Sequence, residues 1–281
     1  MFPNAAVAFS LRKLNPSYSG SAIRVRRSSD NAEQDIGFAA SGALNTSALT
    51  SFVGSNNGFI TVFYDQSGNS KDVSQTNSIL QPQIVSSGSV INLNSKPCIQ
   101  FTNSLGHFLS GNHTVWDFAG DATVFHVSRN RNTTSGNYGA VISQGGGTTR
   151  QGLGIMWQQF NSANTQASTD IFAPAGVITS GTQSANTQYI AAFKWQNWST
   201  HISNGNSVIA INGTNQSLTT HGSTTPLGLV PSPLRVGSYD GASGAGCFLG
   251  DIQEIVVYTT AFSATDIDKA ELNLNAYYAV Y

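Results

Sequence analysis

The sequence has few charged residues. Asp, Glu, Lys and Arg make up 10% of the 281 residues, and the formal net charge is −1. The 13 cationic residues are scattered outside one cluster, so the chain lacks the basic stripe that a nucleic-acid backbone requires. No uncharged apolar run reaches the roughly 18 residues of a membrane-spanning helix. We therefore expect neither nucleic acid nor a membrane as a partner.

Cysteine is also scarce, since the chain contains only Cys98 and Cys247. Two cysteines cannot form a disulfide scaffold, and no Cys/His spacing indicates structural zinc. Each cysteine lies in an apolar, strand-like run, which favours buried free thiols. A disulfide remains the alternative if the two strands are neighbours.

Most of the sequence consists of short apolar runs separated by polar turns. The 28 glycines, together with many Ser, Thr and Asn residues, divide the chain into about a dozen strand candidates. The polar run Asn45, Thr46 and Ser47 is expected to cap a short helix near residue 50, and Ser263 a helix that reaches Tyr278. The pattern predicts one all-β domain over residues 1–281, a two-sheet antiparallel jelly roll with these two helices.

Charged residues concentrate between Arg24 and Asp35. Arginines alternating with apolar residues on a strand, followed by carboxylates in a turn, favour a bidentate Arg–carboxylate cluster. We interpret it as a structural clamp, with a ligand site as the alternative, and expect Asp65 to pair with Arg26 or Arg27. The predicted cluster comprises Arg24, Arg26, Arg27, Asp30, Asp35 and Asp65.

No cofactor is expected. The five histidines lie in different segments without metalloprotease or triad spacing. A calcium site at the Asp65 turn is the alternative, because Asp65, Gln66, Ser67 and Asn69 bring oxygen atoms into one turn. One carboxylate is a weak donor set, so we predict no metal site.

Three separated parts of the chain resemble known families. The run AFSLRKLNPSYSGSAIRVRRSSDNAEQDIGF at residues 8–38, followed by FYDQSGN at 63–69, resembles the start of the catalytic domain of family-B α-L-arabinofuranosidases. A similar opening occurs in laminin-G-like, concanavalin A-like domains of bacterial and phage surface proteins. The segment KPCIQF at residues 96–101 and the last segment, from Gly246 to Tyr281, are similar to the closing pattern of that wider superfamily.

The resemblance implies a retaining glycosidase, which needs two carboxyl groups. It implies a Glu nucleophile in the middle of the domain, but residues 131–186 contain no Glu and only Asp170. It implies an acid/base Asp before the final strand, where the nearest match is Asp240, displaced by one residue. We interpret this pattern as loss of the hydrolase chemistry. Asp240 would be catalytic only if the chain is a hydrolase.

Aromatic residues in the second half suggest a glycan surface, because aromatic faces stack on sugar rings beside amides and carboxylates. The alternative is that two of the tryptophans lie in the core. The predicted glycan-binding residues are Trp157, Trp195, Trp198, Tyr239 and Asp240.

Together these observations predict a non-enzymatic virion or surface structural protein, such as a phage capsid-decoration protein or tail adhesin. Its partners would be neighbouring subunits, in a homo-oligomer, or a cell-surface polysaccharide. Its location would be the virion or the extracellular surface. The alternatives are a glycoside hydrolase of arabinofuranosidase type and a purely architectural module without glycan binding.

Overall fold

The computed structural model describes most of the chain. The described residues are 3–102, 104–116, 120–133, 138–145, 152–159, 164–171, 175–179, 181–196, 207–222, 233–239, 241 and 246–281.

Two helices occur in the described residues, and polar side chains cap both. Helix α1 spans Thr46–Val53, with Asn45 Oδ1 accepting the Ala48 N–H at 3.0 Å. Helix α2 spans Ala264–Tyr278, and Ser263 Oγ accepts the Asp266 N–H at 3.2 Å. The side-chain oxygens satisfy N–H groups that have no partner inside the helix. Both predicted helices, including the C-terminal one, are confirmed.

The remaining secondary structure of the described residues consists of β-strands. Strands of the first half are β1 Val7–Ser10, β2 Ile23–Arg27, β3 Glu33–Ile36, β4 Gly58–Phe63, β5 Val73–Ser74, β6 Gln83–Ser86, β7 Ser89–Val90, β8 Asn92–Leu93, β9 Lys96–Pro97, β10 Ile99–Phe101, β11 Leu109–Gly111 and β12 Ala122–Asn130. Those of the second half are β13 Tyr138–Gly145, β14 Gly152–Gln159, β15 Asn164–Ile171, β16 Ala175–Thr179, β17 Gln183–Ser184, β18 Gln188–Trp195, β19 Val208–Ile211, β20 Thr214–Asn215, β21 Leu218–Gly222, β22 Leu234–Val236 and β23 Gly250–Tyr258.

The strand pairing is antiparallel and continuous. Among the described residues, 21 strands join into one large sheet, while β8 and β9 form a separate two-stranded sheet. The expected pair of separate sheets is not what the hydrogen bonds show. Strand β6 pairs with β4 on one side and, through Gln83 and Gln100, with β10 on the other. It thereby connects the strands around β4 with those around β23.

Strands β12 and β23 are buried on both faces. Val124 and Val257 belong to the larger apolar core, whereas their neighbours Phe125 and Val256 belong to a smaller core under α2. Successive side chains of a strand point to opposite faces, so helix α2 covers the face that the main core leaves open. This explains why all nine residues of β23 are buried.

The two cysteines are free and buried. Burial raises the pKa of the Cys98 thiol, because its charged form would lose its hydration. Within the described residues, neither helix has both the length and the apolar content of a transmembrane span.

Candidate functional site

A row of directly paired residues crosses the large sheet. Residues opposite each other in antiparallel strands share a face of the sheet. From β3 to β16 the row consists of Asp35, Arg24, Val62, Ser74, Ser110, Arg235, Ser143, Gly154, Asp170 and Gly176. Asp170 therefore occupies a register position two strands from Ser143. At about 4.8 Å per strand, their backbones are separated by about 10 Å.

The turn that follows β22 is bonded to this row. Ser143 Oγ donates to the Ser238 carbonyl at 2.8 Å. Arg235 Nη1 donates to the Gly145 carbonyl at 2.6 Å and to the Tyr239 carbonyl at 3.3 Å. Ser143 is 1% exposed, so its hydroxyl binds the turn away from solvent. These bonds fix the backbone just before position 240.

Glycines shape the same turn. Gly237 has φ +83°, and a Cβ there would lie 2.3 Å from the Phe101 ring. Only glycine fits such a conformation and such a close approach. Gly241 also has a positive φ, and its N–H donates to Ser238 Oγ at 3.0 Å. The turn is thus defined by backbone geometry on both sides of Asp240, which itself lies outside the described residues.

Sequence reasoning missed Ser143 and Arg235. Neither belongs to a motif, and the Ser143–Ser238 contact joins residues 95 positions apart. The available signal was Asp170, the only acidic residue between 131 and 186. Asp170 does not match the resemblance, which implies a Glu nucleophile.

The predicted glycan-binding residues do not form one exposed surface in the described structure. Trp195 is 1% exposed and packs against Trp116 at 6.5 Å between ring centroids. Tyr239 is 4% exposed. Because neither ring offers an open face, their burial argues against stacking on a sugar.

The two other predicted tryptophans give less information. Trp157 lies on β14, where its backbone pairs with Gly139 and Ala167. Trp198 lies outside the described residues. Their role in glycan binding stays a prediction.

The charged cluster is two separate pairs and one buried arginine. Arg24 binds Asp35 through both carboxylate oxygens, at 2.8 and 2.9 Å. Arg27 binds Asp30 in the same bidentate way, at 3.0 and 2.6 Å. The hydrogen bonds from Arg27 lower the pKa of Asp30 to about 2. The expectation of a single clamp is therefore too simple.

Arg26 is the buried member of this cluster, and its partners are amides. Its Nε donates to Gln81 Oε1 at 2.7 Å and its Nη1 to Asn31 Oδ1 at 2.9 Å. The guanidinium also lies over the Phe59 ring, 5.0 Å from the centroid. Among the described residues, no carboxylate forms an ion pair with Arg26.

Asp65 does not pair with an arginine, contrary to expectation. Its Oδ1 accepts the N–H groups of Ala8 and Ser67, and its Oδ2 accepts the Ser67 hydroxyl and the Lys71 N–H. Four protein donors already surround this carboxylate, which leaves little capacity for calcium. The described residues also include no group of three His, Cys, Asp or Glu side chains able to hold a metal ion.

His126 is a core residue. It is completely buried and stacks on Phe193 at 5.6 Å, and its Nδ1 lies 3.1 Å from Ser128 Oγ. Burial lowers its pKa to about 3, so the ring is neutral at physiological pH.

Comparison with known proteins links the chain to arabinofuranosidases. A family model described as "Alpha-L-arabinofuranosidase B, catalytic" matches residues 2–96. No curated protein matches the sequence.

Solved structures of arabinofuranosidases share the fold. A GH54 α-L-arabinofuranosidase soaked with a cyclic sulfate inhibitor has a TM-score of 0.65 at 18% identity, covering 97% of this chain and 62% of that chain. An arabinofuranosidase complexed with arabinofuranosyl-α-1,2-xylobiose gives the same values. The binding domain of Paraclostridial Mosquitocidal Protein 1 is more distant, with a TM-score of 0.51 at 12% identity, covering 75% of this chain and 49% of that chain. This chain thus spans less than two thirds of the arabinofuranosidase chains.

These findings correct the functional prediction. The family match and the arabinofuranosidase fold favour the glycoside hydrolase alternative, so the prediction of a non-enzymatic virion, capsid-decoration or tail-adhesin protein is wrong. The absence of Glu between residues 131 and 186 does not exclude a hydrolase. Asp is also a carboxylic acid, and β15 carries one in the row that reaches Ser143.

Proposed function

We propose that this chain is the catalytic domain of a glycoside hydrolase that acts on α-L-arabinofuranosides. The observation that carries the proposal is the arabinofuranosidase fold over 97% of the chain. The family match at residues 2–96 supports it independently.

The proposed catalytic carboxylates are Asp170 and Asp240. They are the only acidic residues between positions 131 and 250. A glycosidase uses one carboxylic acid to protonate the leaving group and a second carboxylate as nucleophile or base. We assign Asp240 as the acid/base, following the resemblance of residues 237–240, and Asp170 as its partner.

Two structural features support this pairing. Ser238, two positions before Asp240 in the sequence, is bonded to Ser143. Asp170 is two strands from Ser143 in the same cross-strand row. The backbones of Asp170 and of Ser143, which bonds the residue two positions before Asp240, are separated by about 10 Å.

The test is release of 4-nitrophenol from 4-nitrophenyl α-L-arabinofuranoside. Asp240→Asn and Asp170→Asn should each lower kcat by about 10²–10⁴-fold, because each removes a proton-transfer or nucleophilic group. Asp268→Asn, at an exposed position of α2, is the matched control and should keep wild-type activity. A wild-type protein without release above background would refute the proposal.

We also propose that residues 1–281 act as one unit and that the strands form the two layers of a jelly-roll sandwich. The continuous main core, which receives residues from β2, β4, β12 and β23, supports that arrangement. The four donors around Asp65 support a reaction without calcium. We further propose an arabinose-containing polysaccharide as the substrate and an extracellular location for the chain.

A further inference from the structure

A pocket of about 230 Å³ lies between α2 and the sheet, on the opposite face from the main core. Phe125, Val256 and Tyr258 form its sheet side, and Ala270 and Leu274 form its helix side. It is separate from the cross-strand row and independent of the proposed function.

The small side chain at position 270 accounts for the space. Ile267, Leu274 and Tyr278 are at most 4% exposed and pack α2 onto the sheet. Ala270 lies on the same side of the helix but ends at its Cβ, so the sheet residues opposite have no large partner. An enclosed apolar cavity of about 150 Å³ binds benzene, and this pocket of about 230 Å³, which opens to solvent, has room for a ring with a short substituent.

The polar end of the pocket is organised around Arg12 and Glu254. Glu254 is 2% exposed, and its oxygens accept from Arg12, Ser10 and Tyr278 at 2.8–3.1 Å. Arg12 Nη2 also donates to Asn273 Oδ1 at 2.9 Å. Within the described part of the chain, no hydrogen bond involves Arg12 Nη1. Glu254 is thus satisfied, whereas the guanidinium keeps donor capacity.

The pocket offers cationic donors to an anionic group. Its lining contains Arg12, Lys269 and the carboxylate of Glu254, and with Asp266 beside Lys269 the positive and negative charges balance. Lys269 is 62% exposed and lies 3.6 Å from Asp266, a weak pair that leaves its ammonium available.

We propose that this pocket binds a small monocarboxylate with one apolar ring. The ring lies between Ala270 and Val256, and the carboxylate receives hydrogen bonds from Arg12 Nη1 and Lys269. A charge-assisted bond to a guanidinium is among the stronger polar contacts.

The experiment is a titration of the full chain with benzoate, at constant ionic strength, followed by calorimetry and methyl NMR. Benzoate should bind with a Kd of about 1 mM or tighter and shift the methyl signals of Val256, Ala270 and Leu274. Ala270→Leu fills the pocket and should weaken binding at least tenfold, and Lys269→Gln by about threefold. Neutral benzamide should bind at least tenfold more weakly than benzoate.

Several outcomes would overturn the proposal. Absence of methyl shifts in the wild type at about 10 mM benzoate would do so without any variant. Equal affinity for benzamide would show that the negative charge of benzoate does not contribute to binding, contrary to the proposal. Unchanged affinity in Ala270→Leu, with an unchanged melting temperature, would show that benzoate binds elsewhere.

Discussion

Two ion pairs of this chain have the same geometry but different surroundings. Arg24 Nε lies 2.8 Å from Asp35 Oδ1, and these side chains are 42% and 41% exposed. Arg12 Nε lies 2.8 Å from Glu254 Oε2, and these side chains are 13% and 2% exposed. Exposed pairs contribute about 0–1 kcal/mol, whereas breaking a buried pair costs about 3–5 kcal/mol. Burial, and not distance, should therefore decide which pair matters for stability.

A third carboxylate extends the comparison. Glu271 on α2 is 1% exposed, and its Oε1 accepts the Gly213 N–H at 3.2 Å. Its Oε2 has no hydrogen-bond partner in the described structure. Burial, together with the nearby Asp268, raises its pKa to about 7. Glu271 is thus buried like Glu254, but within the described residues no cationic side chain pairs with it as Arg12 pairs with Glu254.

The largest effect is expected at the buried pair. Glu254→Ala leaves the Arg12 guanidinium and the Tyr278 hydroxyl without their acceptor, so the free energy of unfolding should fall by about 3–5 kcal/mol. Urea unfolding measures the change, and Asp268→Ala on the exposed side of α2 is the control. A loss below about 1 kcal/mol would contradict the comparison.

The unpaired carboxylate should make stability depend on pH. The folded-state pKa of about 7 exceeds the ordinary value of 4.5, so the folded state retains a proton that the unfolded state releases. The resulting stabilisation is complete below about pH 4.5 and is lost as the pH rises to about 7.

Glu271→Gln removes this titration. Between about pH 5 and pH 8, wild-type stability should fall by up to about 3 kcal/mol more than that of the variant. Glu33→Gln on the exposed strand β3 should retain the wild-type pH profile. Parallel profiles of the wild type and Glu271→Gln would exclude Glu271 as the cause.

An intermediate effect is expected at Arg26, which is 9% exposed and bonded to amides. Arg26→Ala leaves Gln81 and Asn31 without their charged donor and removes the contact with Phe59, so unfolding should become easier by about 2 kcal/mol. Arg24→Ala, on the same strand, is the matched control. Equal melting temperatures for the two variants would show that burial does not determine how much these two arginines contribute to stability.

Local patterns predicted the helices better than the strands. The sequence predicts about a dozen strands, whereas the described residues contain 23. Both helices begin after predicted polar caps, α1 after Asn45 and α2 after Ser263. These features depend on neighbouring residues, whose preferences can be read in sequence order.

Contacts between distant residues were not predictable in this way. The joining of the sheet depends on β6, and the row depends on the register of each successive strand. A shift of one residue would move a side chain to the other face, and no local pattern specifies such a register. The same limit explains why Asp65 was expected beside an arginine, whereas its oxygens accept from Ala8 and from its own turn.

The smallest effect is expected at the exposed pair. Asp35→Ala removes the partner of Arg24 and the acceptor of the Tyr64 hydroxyl at 2.7 Å, yet water can replace both contacts at this surface. The free energy of unfolding should therefore fall by less than about 1 kcal/mol, and about 1 M salt should reduce the difference further. Chemical unfolding at low and high salt measures both effects. A loss of several kcal/mol that persists in high salt would mean that Arg24 and Asp35 act as the clamp expected from sequence.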